Sequence, residues 1–263
     1  MDSAFCQKQT ADKPLFPDML WSKPGNKRHA GRLLMIGGNL HGFAAAAEAY
    51  AQATKAGVGV ARVLLPSALQ KTVGRIFENG QYAPSTPSGS FSQQALAEWL
   101  EQAAWADGVL IAGDLGHNSE TAVIFEKFLS QYEGQVTLSK DAVDFVVSNP
   151  AICSSRVNTA LVLTFAQLQK LITVLKYPRH IESTMGLPNL TELLNDFSQT
   201  HKFHIITNHL EQIIVAVDGQ VSTTKSSDNN WQTVAAAHTA VWWLQNPDKT
   251  FEALTTAIID NKS

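Results

Sequence analysis

The stretch from Gly31 to Pro66 limits what this chain can become more than any other. Arg32–Ile36 is a short, mostly apolar run that ends on Gly37-Gly38, and such a run suits a buried parallel strand. Phe43–Lys55 is rich in alanine and carries neither Gly nor Pro, so it reads as a helix. Gly57 and Gly59 stop it, and Val60–Leu65 is a second apolar run closed by Pro66. Strand, crossover helix and strand compose one right-handed βαβ unit. Ligands in such sheets sit beyond the carboxyl ends of the strands, here at Gly37–Gly42. Gly-Gly-Asn-Leu-His-Gly there lets backbone approach an anion at a helix N-terminus, or simply makes a turn. It matches neither a Walker A loop nor GxGxxG.

The rest of the chain continues the alternation. Ser67–Phe77 has helical character with Ser67 as a candidate N-cap. Glu78–Ser92 reads as a loop, and Phe91–Trp105 as a helix with Leu96, Trp99, Leu100 and Ala103 on one face. Gly108–Ala112 is a third strand, ending in Gly113-Asp-Leu-Gly116 before a helix over Ser119–Tyr132. Strands follow at Val136–Leu138, Thr159–Leu163 and Phe203–Thr207, with helices over Asp141–Val147, Phe165–Leu175 and Leu187–Thr200. Glu211–Val217 and Gln220–Thr223 form a hairpin around Asp218-Gly219, a strong turn signal. Helices over Trp231–Gln245 and Asp248–Asp260 close the chain. The pattern defines an α/β fold: a three-layer sandwich with a mostly parallel sheet and a late antiparallel hairpin. Residues 1–30 read as an irregular arm, and 31–263 as a single domain. The arm is basic at Lys27 and Arg28, which either stay solvated or reach an anionic ligand.

Composition excludes several function classes. A formal charge of −3 over 263 residues gives no surface for nucleic acid or an anionic membrane. Cys6 and Cys153 form no motif, so a reducing cytoplasm is expected. The polar N-terminus lacks a signal-peptide core, and no uncharged apolar run reaches the length of a membrane span.

On these motifs the chain resembles the ribokinase-like superfamily, and within it the ADP- or ATP-dependent NAD(P)H-hydrate dehydratases. The segments that carry the resemblance are Lys27, Gly31-Arg32, Gly37-Gly38-Asn39, Gly42 with Ala44–Ala47, and Lys55-Ala-Gly-Val-Gly59 followed by Pro66. Ala106-Asp107-Gly-Val-Leu-Ile-Ala-Gly-Asp-Leu-Gly116, Val162-Leu163-Thr164 and the hairpin Ile213–Val217 with Asp218-Gly219 resemble later family segments. The resemblance implies a ribokinase-like three-layer α/β/α sandwich with ADP or ATP, hydrated NAD(P)H and Mg²⁺ as ligands. It implies ligand-site positions at Gly37, Gly38, Asn39, Gly42, Asp114, Asp141, Asn208 and Thr233. It also implies self-association or a complex with a homologue.

The departures fall on the chemistry. The family places a Thr-Gly-Thr-Gly-Asp-like anion hole and general base at the start of a late helix. Here the segment is Asn229-Asn230-Trp231-Gln232-Thr233. Its Thr-Pro-His-Pro-Gly-Glu segment corresponds to Thr164-Phe-Ala-Gln-Leu-Gln169, and its Lys-Gly to Thr207-Asn208. Of its Asp-Ala-Asp-Ala-Leu segment, Ser139-Lys-Asp-Ala-Val143 keeps only the second acid. Loss of an anion-hole donor costs on the order of 10²–10³ in rate, and loss of a general base on the order of 10²–10⁴. The expectation is therefore a dehydratase-like protein with weakened or lost catalysis. A noncatalytic nucleotide-binding or assembly protein is the alternative, and a small-molecule kinase a weaker one, since those kinases use the same Asp.

No catalytic residue or metal ligand is assigned. His41 and His209 are the candidate replacement bases. His201 and His204 lack nearby Cys or carboxylate partners, which argues against zinc. Ser154-Ser155 and Ser226-Ser227 lack a nucleophile-elbow context. Trp242-Trp243 suits packing or a subunit contact better than a cofactor platform.

Overall fold

The computed structural model describes residues 5–74, 77 and 80–260. The opening βαβ unit forms as its sequence dictates: β2 (Arg32–Gly37), α2 (Ala44–Ala56) and β3 (Val60–Pro66), after β1 (Cys6–Gln9) and α1 (Pro17–Trp21). Gly57 ends α2 in the left-handed region at φ 91°, which a side chain would resist. Next come α3 (Gln70–Val73), β4 (Gly80–Ala83), α4 (Leu96–Trp105), β5 (Gly108–Gly113) and α5 (Ser119–Gln131). β6 (Gln135–Ser139), α6 (Asp141–Ser148), α7 (Ala151–Ser154), β7 (Thr159–Thr164), α8 (Phe165–Val174) and α9 (Leu187–Thr200) continue the alternation. The chain then runs through β8 (His204–His209), β9 (Gln212–Val217), β10 (Gln220–Lys225), α10 (Trp231–Gln245) and α11 (Thr250–Asp260).

The strands form one sheet in the order β1-β10-β9-β8-β7-β6-β5-β2-β3-β4. Only β9 runs antiparallel to its neighbours, as the hairpin requires. Apolar residues of the inner strands alternate between two cores. Leu34, Ile36, Val109 and Ile111 face one core, with Trp99 of α4 and Phe125 and Phe128 of α5. Leu33, Met35, Leu110 and Ala112 face the other, with the alanines of α2 and the buried side of α10 and α11. Helices thus cover both faces. α10 is buried almost all round because it lies on β5, β6 and β7 and is flanked by α2 and α11. Its alanines allow that close approach.

Several features differ from expectation. The N-terminal arm is not irregular: β1 adds a parallel edge strand to β10, and α1 packs against α11. Cys-Gln-Lys-Gln has no apolar alternation, and its pairing partner lies more than 200 residues away. β4 forms inside the expected loop as the opposite edge strand. Ser67 caps no helix; a 3₁₀ turn over Ser67–Leu69 precedes α3, and the Ser67 hydroxyl meets Ser85 instead. The rest of that expected helix falls partly on residues 75 and 76, and the start of the loop on 78 and 79, all outside the described residues.

Candidate functional site

From β2 the chain steps outward through β3 to β4, then returns to the other side of β2 as β5. The direction of winding reverses there, and α2 and α4 cover opposite faces. The carboxyl ends of β2 and β5 are therefore the topological switch point, where open α/β sheets bind ligands. Six of the eight expected positions meet there. Gly37 needs to be glycine, because a Cβ would lie 2.7 Å from the Gly113 carbonyl. Gly38 N–H donates to that carbonyl at 3.0 Å. Asn39 Nδ2 donates to the Asp114 carbonyl at 2.6 Å, while its Oδ1 accepts from His41 N–H at 2.8 Å. Asn39 and Gly42 exchange backbone hydrogen bonds, so the loop is a closed turn.

Asp114 decides what this loop can hold. Its Oδ2 accepts from Ala45 N–H at 2.7 Å, in the first turn of α2. The helix N-terminus, with its partial positive charge, is thus capped by the protein's own carboxylate. Asp114 has φ 57° and Lys140 φ 52°, so backbone strain collects at the ends of β5 and β6. Asp141 follows Lys140 at the start of α6. Its Oδ2 accepts from Gly116 N–H at 3.1 Å, and its buried Oδ1 has no hydrogen-bond partner among the described residues. Burial pushes the Asp141 carboxyl above its ordinary range. The Gly116 N–H works against that, and the nearby charges of Asp114 and Asp144 add to it.

The other two positions lie apart. Asn208 is the penultimate residue of β8, three strands from β5, or about 14 Å at ordinary strand spacing. Thr233 sits in the first turn of α10, 1% exposed, and its hydroxyl has no hydrogen-bond partner among the described residues. At the start of α10 the Gln232 side chain turns toward the sheet. Gln232 Nε2 donates to the Val162 carbonyl of β7 at 2.9 Å and lies 3.4 Å from Gln167 Oε1. Gln167 Nε2 in turn donates to the Lys140 carbonyl at 2.9 Å and to Asp144 at 3.0 Å. Gln167 also completes a capping box with Thr164 at the start of α8. This chain of side-chain amides crosses the carboxyl ends of β6 and β7.

Sequence reading missed Gln232 and Gln167. The Thr-x-x-Gln spacing from Thr164 was a legible signal for the latter. Asn230 offers no side-chain cap, and its own N–H donates to Asp228 at 2.8 Å.

The remaining candidates find structural employment. His41 is exposed in the loop. His209 stacks on Phe165 at 4.1 Å and bonds the Met185 carbonyl at 2.8 Å. His201 stacks on Phe197 under α9, whereas His204 meets Trp243 of α10 on the opposite face of the sheet. The two therefore share no metal. Burial lowers the His204 pKa to about 4. Burial also raises the Cys153 thiol to about 12, which leaves it inert as a nucleophile. Trp242 and Trp243 are both buried, with Trp242 Nε1 bonded to Asp260 at 3.0 Å. Lys27 and Arg28 form a turn beside Gly59, at the amino ends of β2 and β3. They sit at the opposite end of the strands from Gly37 and do not reach the switch point.

Among solved structures, the chain is similar to a ribokinase-like superfamily protein from Enterococcus faecalis. The TM-score is 0.73 at 13% identity, over 98% of this chain and 87% of that one. It is similar to a protein from Streptococcus mutans, with TM-score 0.68 and 16% identity over 88% of this chain and 80% of that one. It is also similar to the ADP/ATP-dependent NAD(P)H-hydrate dehydratase from Bacillus subtilis, co-crystallised with ATP and Mg²⁺. There the TM-score is 0.59 at 13% identity, over 89% of this chain and 79% of that one. No family model matches the chain, and no curated protein matches it in sequence. The fold is therefore ribokinase-like.

The Asp114 carboxylate, bonded to Ala45 N–H, puts negative charge at the α2 N-terminus, where a nucleotide phosphate would be disfavoured, and Asp114 and Asp141 are the carboxylates at the switch point that would hold Mg²⁺.

Proposed function

We propose that this chain is a noncatalytic protein of dehydratase-like fold, acting through assembly with its own copies or with a homologue. The observation that carries this is that the chain's own side chains bond at both walls of the cleft. Asp114 occupies the α2 N-terminus, and the Gln232–Gln167 pair spans the strand ends beneath α10. A carboxylate at the first position repels a phosphate, and at the second a side-chain amide bonded to the strand ends stands in place of the family's glycine-rich segment. The groups that would do the family's chemistry are absent from Asn229–Thr233 and from Thr164–Gln169.

One observation favours a second reading, residual ADP- or ATP-dependent dehydration of hydrated NAD(P)H. Asp141 lies at the switch point, where burial shifts its carboxyl upward, and its Oδ1 has no hydrogen-bond partner among the described residues. Turnover separates the two. The purified chain is incubated with hydrated NADH, Mg²⁺ and ADP or ATP, and NADH recovery and released phosphate are followed beside the Bacillus subtilis enzyme. The expected result is no signal above the protein-free control. Turnover that Asp141→Asn abolishes would establish the second reading.

A further inference from the structure

The basic turn at Lys27 and Arg28 lies outside the cleft, and an exposed tryptophan precedes it. Trp21 ends α1 and is 87% exposed, more than any other large apolar side chain among the described residues. The fold holds it there. Phe16 packs edge-on against Phe251 of α11 at 6.0 Å, and Met19 is buried beside Thr256. Trp21, two positions after Met19 and so about 200° further round the helix, points the other way. Lys23 then bonds Asp260 and sits 5.1 Å above the Trp242 ring. The chain is thus anchored to α10 and α11 on both sides of Trp21, which leaves the indole facing water.

A turn leads on to Lys27, Arg28 and His29, all exposed at the amino ends of β2 and β3. The Lys27 carbonyl abuts Gly59, where a Cβ would stand 2.1 Å away. Gln245 Nε2 donates to the Ala30 and Gly57 carbonyls, each at 3.1 Å, and so ties this turn to the ends of α2 and α10. Lys55 in the last turn of α2 and Val60, 43% exposed at the start of β3, therefore share the corner. Arg32 and Lys23 are paired with Asp107 and Asp260, whereas Lys27, Arg28 and Lys55 make no ion pair among the described residues. Asp248 and Lys249, beyond α10, offset each other. A corner of free cations and exposed apolar side chains thus stands on a chain whose net charge is −3.

The corner is small enough for one partner. Trp21 and Lys27 are six positions apart, at most about 20 Å of extended chain. A standard interface buries about 800 Å² on each side, a patch roughly 30 Å across.

We propose that this corner docks an acidic segment of a partner protein, with an apolar side chain against Trp21 and Val60 and carboxylates on Lys27, Arg28 and Lys55. Tryptophan and arginine are the residue types that most often carry interface energy, and opposite charge steers such a segment in. Nucleic acid and lipid surfaces present far denser negative charge than these cations answer, and the net negative charge of the chain opposes their approach. The corner lies at the far end of the strands from the cleft, so nucleotide binding there, or its failure, leaves this proposal unchanged.

The test titrates the full chain with a peptide of sequence Glu-Glu-Leu-Glu-Glu-Leu-Glu-Glu at low ionic strength, beside the same peptide with glutamine for glutamate. Trp21 is the one exposed tryptophan among the described residues, so its indole N–H resonance reports occupancy. The proposal expects a saturable shift of that resonance with the acidic peptide alone, weakened by added salt. Trp21→Ala should weaken binding about tenfold, as at an interface anchor. Lys27→Glu combined with Arg28→Glu should weaken it at least tenfold and flatten the salt dependence. Lys170→Glu, on exposed α8, should leave affinity unchanged. These side chains are exposed, so each variant should keep the wild-type Tm. No saturation, equal affinity for both peptides, or equal affinity in wild type and the Trp21 and Lys27/Arg28 variants overturns the proposal. So does tighter binding to phosphatidylserine vesicles or to a single-stranded oligonucleotide, which would mark the corner as a membrane or nucleic-acid surface.

Discussion

Replacement of Asp114 tests whether its carboxylate is a helix cap held at a strained backbone position. The Oδ2–Ala45 hydrogen bond at 2.7 Å is a non-local N-cap, and such caps contribute about 1 kcal/mol. The charge at the helix N-terminus adds about 0.5 kcal/mol. Asp114→Ala should therefore cost about 1.5 kcal/mol. Asp114→Asn keeps an acceptor and loses only the charge, at about 0.5 kcal/mol. Asp114→Gly loses the cap but relieves the backbone at φ 57°, worth about 1 kcal/mol, so its net cost is again about 0.5 kcal/mol. For a chain of this size, 1 kcal/mol corresponds to about 2–4 °C in Tm. Thermal and urea unfolding of the three variants should thus rank Ala below both Gly and Asn, with Ala about 3–6 °C below wild type. Glycine commonly destabilises more than alanine, so the inverted order is specific to this geometry. If Asp114→Ala matches wild type, or if Gly falls below Ala, the cap-and-strain argument is wrong.

Asp260 predicts an acid limb in the stability profile. Burial alone would raise this carboxyl, but bonds from His238, Lys23 and Trp242 outweigh that and hold it down to about 2, against an ordinary 3.8. The folded state therefore binds this proton less readily than the unfolded chain. The stabilisation is complete above about pH 4 and is lost as pH falls toward 2. Unfolding free energies from urea titrations between pH 7 and pH 2 should differ by about 2 kcal/mol between wild type and Asp260→Asn at neutrality and draw together at the acid end. Gln167→Ala removes the α8 capping box and the link to Gln232, and should cost about 1–2 kcal/mol in equilibrium unfolding.

The parts of the fold legible in sequence were those specified by local chemistry. The alanines of α2 and the glycines at Gly37 and Gly57 are legible because propensity and backbone geometry act over a few residues. The hairpin at Asp218-Gly219 forms for the same reason. The edge strands β1 and β4 were not legible, because Cys-Gln-Lys-Gln and Gly-Gln-Tyr-Ala carry no alternation and depend on partners supplied by the finished sheet. The site divides in the same way. Gly37 to Gly42 and Asp114 are visible as glycine turns after apolar strands. That Asp114 caps a helix 69 residues earlier, and that Gln232 bonds a carbonyl 70 residues earlier, are non-local facts that no short window contains.

Nucleotide binding at the cleft is tested most directly by isothermal calorimetry of the chain with ATP and Mg²⁺ at neutral pH. If the bonds of Asp114 and the Gln232–Gln167 pair exclude nucleotide, the titration shows only heats of dilution up to millimolar nucleotide. A saturable isotherm, weakened by substitution at the switch point, would contradict that account and show that the cleft still admits nucleotide.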